Sequence, residues 1–155
     1  MRHALIAFGC LAAASSLAPA FAGEIGGDWL FDTSKFAGDC QISGRITFTE
    51  TKVKNTYACK FVSEQICGPL SNNLYIKVEQ SCTAQQVGKQ VAIKTQVDKI
   101  LDRRPKIDAE LALENYLADN FIVQLSKNLQ EMIGQHYDAQ RQLKARFWRD
   151  IQLLS

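Results

Sequence analysis

Apolar and polar residues alternate along most of the chain, which is the pattern of β-strands with one buried face. Between residues 40 and 48, every second residue is Cys, Ile, Gly or Phe, and the residues between them are polar. A period of two indicates a half-buried strand. The same alternation predicts eight strands in all, around residues 29–31, 40–48, 57–61, 74–82, 91–97, 121–125, 132–134 and 143–151.

Short turns join most of these strands. Residues 68–73 read Gly-Pro-Leu-Ser-Asn-Asn, which is turn chemistry. Consecutive short strands with such connections predict an all-β fold, a single eight-stranded antiparallel up-and-down barrel, with a β-sandwich as the alternative. Closure of the sheet would remove the edges that an exported domain must otherwise protect.

One segment, residues 99–119, breaks the alternation. It is charged, contains Arg103-Arg104-Pro105 and continues with Asp108 at a position suited to cap a short helix. Connections of this length in compact domains are often lids or binding loops. We therefore expect a short helix or lid between strands 5 and 6, and a tolerated surface insertion is the alternative.

The first 22 residues have the features of a secretory signal peptide. A basic start, an apolar run from Ala4 to Leu17 and the sequence Ala20-Phe21-Ala22 precede Gly23. The run is too short to cross a membrane, which takes about 20 residues, and no later segment predicts a span. We expect residues 1–22 to be removed and residues 23–155 to form one periplasmic or secreted domain. Lipidation of Cys10 is the alternative.

Four cysteines remain after the signal peptide: Cys40, Cys59, Cys67 and Cys82. An even number in an exported chain predicts two disulfides, and the spacing lacks the paired knuckles of a structural zinc site. Turns near residues 53–54 and 70–71 would pair strand residues whose numbers add to about 107 and 141, which favours Cys40–Cys67 and Cys59–Cys82. The alternative, Cys40–Cys59 with Cys67–Cys82, stays open because bulges shift register.

Little in the sequence suggests catalysis. Without the signal peptide the chain has 17 basic and 16 acidic side chains, so its charge of +1 gives no reason to expect nucleic acid. Its single histidine, His136, is expected at the surface or the core edge, and Asp119, Glu131 and Asp138 have no spacing that compels acid–base work. We expect no enzyme, no cofactor and no metal site.

Two short motifs resemble the calycin signature, which lipocalins share with small bacterial metalloprotease inhibitors of the Inh type. Gly27-Asp28-Trp29 opens the first strand, and Arg149 lies in the inward phase of the last. The resemblance implies that Arg149 stacks on Trp29 and closes one end of the barrel. The Inh pattern would imply Cys40–Cys59. It also includes an N-terminal arm, whereas here only residues 23–26 precede the motif.

Two binding functions follow from this fold. We expect the barrel to engage a protein partner of the cell envelope, as an inhibitor or a structural module, and to do so as a monomer. The alternative is that it carries a small apolar ligand in a pocket lined by Tyr57, Phe61, Phe121 and Met132. An eight-stranded barrel is just wide enough for side chains or for one ligand. The many bulky inward residues favour a filled interior and therefore the protein partner.

Overall fold

The computed structural model describes residues 24–150, which form a closed antiparallel barrel. Each of its eight strands pairs with its neighbours in chain order, and β8 closes on β1. The signal peptide, Cys10 and the end of the last predicted strand lie outside the described residues. The strands are β1 (Gly27–Thr33), β2 (Gln41–Glu50), β3 (Thr56–Ile66), β4 (Tyr75–Val87), β5 (Gln90–Arg104), β6 (Asn120–Leu125), β7 (Glu131–Tyr137) and β8 (Gln142–Arg149).

The register between the first long strands is the one that the turns predict. In the β2–β3 pair Gln41 faces Ile66, and in the β3–β4 pair Cys59 faces Cys82, so the residue numbers add to 107 and 141. The structure contains the disulfides Cys40–Cys67 and Cys59–Cys82. The alternative pairing, Cys40–Cys59 with Cys67–Cys82, does not form because the chain does not turn midway between the cysteines of either pair. The Cys40–Cys59 bridge that the Inh resemblance implied is therefore absent.

Side chains fill the inside of the barrel. The rings of Phe31, Phe121 and Phe147 lie at its centre, with centroids 5.2 Å apart for Phe31–Phe121 and 5.0 Å apart for Phe121–Phe147. Gly134 lies where the backbone of β6 comes close, because a Cβ atom there would be 2.1 Å from the carbonyl oxygen of Ile122. Inward residues thus alternate between bulky rings and small residues that make room for the neighbouring strand.

The segment predicted as an irregular insertion over 99–119 is in part a strand. β5 continues to Arg104 against β4, and the irregular part begins only at Pro105. Two register shifts, opposite the Lys77–Val78 and Glu79–Gln80 steps of β4, leave Asp98 and Leu101 without a partner. Each bulge displaces the alternation by one residue, so the period of two disappears from the sequence although the strand persists.

The rest of the connection, residues 105–119, forms the lid. Its helix α1 (Ala109–Asn115) begins as predicted at Asp108, whose carboxylate accepts hydrogen bonds from the N–H groups of Glu110 and Leu111. Only Ala112 of this helix is buried. The lid and the connections 34–40, 67–74 and 138–141 make up one end of the barrel, the lid end. The opposite, plugged end carries the connections 51–55, 88–89 and 126–130.

Candidate functional site at the lid end

Arg149 and Trp29 close the plugged end together. The guanidinium carbon of Arg149 lies 4.1 Å from the centroid of the Trp29 ring, and the indole N–H donates to the carbonyl of Ile25 at 2.8 Å. The same guanidinium donates to the carbonyls of Glu24 at 2.7 Å, Gly26 and Leu129 at 3.3 Å. Burial lowers the pKa of Arg149, but a guanidinium remains charged. These contacts cover the Trp29 side of this end of the barrel.

The four residues expected to line a ligand pocket belong to the packed core. Tyr57, Phe61, Phe121 and Met132 are each at most 3% exposed, and the rings of Phe61 and Phe121 meet edge to face at 6.3 Å. Of the four, Tyr57 also lines an open cleft of about 510 Å³ at the plugged end. All four residues belong to one core cluster of buried side chains.

A network of buried polar side chains lies under the lid, centred on the carboxylate of Asp119. One of its oxygens accepts hydrogen bonds from Tyr116 at 2.8 Å, Gln80 at 2.6 Å and Ser63 at 3.1 Å. The other lies 2.9 Å from Nε2 of His136. Burying a carboxylate away from water costs free energy unless hydrogen-bond donors surround it. Here β3, β4, β7 and the lid each supply one such donor.

His136 is not at the surface or the core edge, as the sequence suggested, but has no exposed surface. Its ring lies edge to face with Phe121, with centroids 5.3 Å apart, and Nε2 points to Asp119. The other ring nitrogen, Nδ1, has no hydrogen-bond partner among the described residues. Nε2 is therefore the ring nitrogen that takes part in the buried network, through its contact with Asp119.

Tyr116 ties the lid to this network. It follows α1 directly, is 9% exposed, and its hydroxyl reaches Asp119 and lies 3.5 Å from Ser63. Burial, and after it the charge of Asp119, raise the pKa of the Tyr116 phenol well above its ordinary value. The phenol therefore stays a neutral donor, and the lid is held down by hydrogen bonds within the barrel mouth.

The lid end carries most of the large exposed hydrophobic side chains among residues 24–150, interspersed with charged ones. Of the ten large hydrophobic side chains that are exposed in the described part of the chain, six lie here. They are Ile66, Leu70, Leu101, Ile107, Leu111 and Leu113. We call this set the lid-end apolar surface. Leu111 and Leu113 are 49% and 41% exposed although they belong to a helix, so α1 presents leucines to solvent while it buries only an alanine.

An open cleft of about 340 Å³ runs between the lid and the barrel rim. Ile76 and Arg103 line one side, Ile107 and Tyr116 line the lid side, and Arg141 lines the rim. Arg141 is fixed in place, since it pairs with Asp138 at 2.6 Å and lies 4.5 Å over the ring of Phe36. The cleft thus joins the lid-end apolar surface to a rim that carries the ion pair of Arg141 and Asp138.

The sequence pattern predicted most of the strands around the buried polar network but not the network itself. Gln80 and His136 stand in the inward phase of their strands, and a polar residue in that phase is the signal that could have shown them. The residue that satisfies them, Asp119, lies in the lid, where no alternation fixes its position. By contrast, Trp29 and Arg149 are brought together as the resemblance implies.

No family model, curated protein or solved structure matches the chain. No helix of residues 24–150 is long and apolar enough to cross a membrane. In the same residues no three side chains of the kinds that ligate metals come together.

Proposed function

We propose that the protein is an exported, non-enzymatic binding module that engages a protein partner in the cell envelope through its lid end. The observation that carries the proposal is the lid-end apolar surface. Scattered single apolar residues are ordinary on a surface, but apolar residues gathered at one end of a domain are typical of interaction sites.

The lid combines a rigid base with exposed leucines. Its base is tied to the barrel through Tyr116 and Asp119, so the orientation of α1 is set before any partner arrives. A preorganised surface loses less conformational freedom on binding than a mobile one. Leu111 and Leu113 would then act as anchors, with Arg141 and Arg103 at the side of the cleft.

A small apolar ligand inside the barrel is the second candidate, supported by the lipocalin-like closure at Trp29 and Arg149. The filled interior argues against it. Phe61, Phe121 and Met132 would all have to move before a ligand could enter, and rearranging a close-packed core is costly. We therefore rank the protein partner first.

The calycin resemblance suggests, within this proposal, a role like that of an inhibitor. The barrel and the Trp29–Arg149 contact support it. The route would differ from that of the Inh type, because the lid end, rather than an N-terminal arm, carries the apolar surface. Two disulfides support an oxidising compartment such as the periplasm or the exterior of the cell.

Site-specific photo-cross-linking in the envelope of the producing cell tests the proposal. A benzophenone amino acid replaces Leu113 at the lid end or Val53 at the plugged end, which is 65% exposed and serves as the matched control. We expect a discrete cross-linked product from position 113 that is absent from position 53. The double variant Leu111→Glu/Leu113→Glu should remove a product formed from position 107.

Equal products from both ends, or none from the lid end, would contradict the proposal. Native mass spectrometry of the purified domain provides the second arm. A stoichiometric apolar molecule bound to it would favour the carrier instead.

A further inference from the structure

Strand β5 is much longer than the strand on its outer side. β6 pairs with β5 only from Gln90 to Ile93, whereas β4 pairs with it as far as Arg104. Residues 94–104 of β5 therefore have a strand on one side alone. We call the other side of this stretch the β5 edge.

The lid does not complete the β5 edge with main-chain hydrogen bonds. At the Asn120 end of β6, a side chain takes the place of a main-chain partner for β5. The side-chain oxygen of Asn120 accepts a hydrogen bond from the N–H of Thr95 at 3.0 Å. Beyond that point, no main-chain hydrogen bond joins the β5 edge to another part of residues 24–150. Helix α1 lies against β5 but provides none of these bonds. A strand edge whose main-chain groups are unpaired in this way is a template for pairing with another chain.

Positive charge is concentrated on this stretch. Between residues 94 and 104 four basic side chains stand against two acidic ones, whereas the chain without its signal peptide has 17 basic and 16 acidic residues. The basic residues are Lys94, Lys99, Arg103 and Arg104, and the acidic ones are Asp98 and Asp102. The neighbouring part of the lid carries Lys106 and the acidic residues Asp108, Glu110 and Glu114. The excess of two positive charges on the strand itself favours an acidic partner segment.

A second copy of the chain fits the outer half of the β5 edge, residues 99–101, poorly. In a symmetric antiparallel pair centred on Lys99, this lysine would face the same lysine of the second copy. In a pair centred on Ile100, Asp98 of one copy would face Asp102 of the other. Centred on Leu101, Lys99 would face Arg103. Like charges directly opposite each other destabilise a sheet. The bulges at Asp98 and Leu101 and the nearby Pro105 also discourage pairing between identical edges.

We propose that the β5 edge receives an extended, acidic segment of the protein partner, which adds a strand to the sheet beside β5. The inference rests on the proposed function, since it names the kind of partner that the lid end binds. Main-chain hydrogen bonds would supply affinity, and side chains would supply specificity. The segment would place carboxylates near Lys99 and Arg104 and an apolar side chain near Leu101, which is 40% exposed.

Binding of a defined peptide tests this inference. The probe is a fluorescent peptide that alternates glutamate with valine, compared with one that alternates lysine with valine, at low salt. We expect binding of the glutamate peptide alone. Lys99→Glu should weaken it by about three- to tenfold, while Lys60→Glu, an exposed lysine on the barrel wall, should leave it unchanged.

A proline variant separates strand addition from simple charge attraction. Val97 lies two residues after Thr95, with no bulge between them, so its N–H points to the same open side. Val97→Pro removes that donor without removing a bond to β4, and we expect about tenfold weaker binding of the glutamate peptide. Its thermal unfolding is measured in parallel to show that the barrel is intact.

Three outcomes would overturn the inference: no binding of the glutamate peptide, equal binding by the Lys99→Glu and Lys60→Glu proteins, or a dimer that Val97→Pro makes monomeric. If cross-linking from Leu113 succeeds while the peptide fails to bind, the lid end still binds a partner and only the β5 edge is excluded. If the peptide binds but Leu113 gives no product, the proposed function fails and edge recognition stands alone.

Discussion

A single guanidinium, that of Arg149, organises the plugged end. It lies over the Trp29 ring and donates to three carbonyls from two separate stretches of chain. The bonds to Gly26 and Leu129 are partly buried, and the one to Glu24 is exposed. Hydrogen bonds to a charged group contribute about 1.5–3 kcal/mol, and a cation over a desolvated ring about 2 kcal/mol, so this side chain matters more than an ordinary surface arginine.

We expect Arg149→Ala to lower the free energy of unfolding by about 2–3 kcal/mol, measured by urea denaturation. The matched control is Arg146→Ala. Arg146 pairs with Glu131, and the two side chains are 57% and 38% exposed, so its loss should cost much less than the loss of Arg149. Equal losses for the two variants would mean that the stacking on Trp29 contributes nothing.

At the scale of elements, the lid is held by a few side chains rather than by main-chain pairing. Tyr116 and Asp119 link it to β3, β4 and β7 through the buried network. Its helix is short and buries one alanine. The lid is therefore the part of the described chain whose position depends most on single hydrogen bonds.

Tyr116→Phe should loosen the lid while the barrel persists. The change removes the donor 2.8 Å from Asp119, at a cost of about 1–2 kcal/mol. We expect faster hydrogen exchange at lid amides such as Ala112, with exchange in β2 and β3 unchanged. Tyr137→Phe, on the half-buried end of β7, should change neither.

The Tyr116→Phe variant should also differ from the wild type in how its stability depends on pH in the alkaline range. Because the pKa of Tyr116 is raised in the folded state, the stability that comes from keeping the phenol neutral is complete below about pH 10. It is lost progressively as the pH rises through the pKa of the unfolded phenol toward that of the folded one. In that window the stability of the wild type should fall by about 1.4 kcal/mol per pH unit more steeply than that of Tyr116→Phe. If the free energy of unfolding fell with pH at the same rate in both proteins, the Tyr116 hydroxyl would not be buried as described.

The strands were predictable because their alternation is uninterrupted, and the lid contacts were not. Turns near 53–54 and 70–71 fix the register of β2, β3 and β4 wherever no bulge intervenes. In β5 the bulges at Asp98 and Leu101 shift the phase twice, so the pattern fails although β4 holds the strand in place. Asp119 and His136 meet only because the lid returns over the barrel mouth, and that contact leaves no period in the sequence.

At the scale of the whole molecule, the two disulfides join the same part of the barrel at two heights. Cys59–Cys82 links β3 to β4 within the core, and Cys40–Cys67 links the start of β2 to the connection after β3 at the lid end. Their sequence separations, 23 and 27 residues, are similar, so the chain-entropy terms should be nearly equal.

Replacing either cysteine pair by alanine should lower the free energy of unfolding by about 3–4 kcal/mol. We expect the larger loss for Cys59→Ala/Cys82→Ala, since both residues also pack in the core cluster. Urea denaturation of the two double variants, with the wild type as reference, measures the difference. A larger loss of unfolding free energy for Cys40→Ala/Cys67→Ala would show that packing of Cys59 and Cys82 in the core adds less stability than the contacts of the other pair at the lid end.

The main chain enters and leaves the barrel at one place. Arg149 donates to the carbonyl of Glu24 at 2.7 Å, and the N–H of Asp150 donates to the carbonyl of Asp28 at 3.2 Å. A linker attached before residue 24 or after residue 150 would therefore hold the barrel by its plugged end. Immobilisation through either position should leave the lid-end apolar surface accessible.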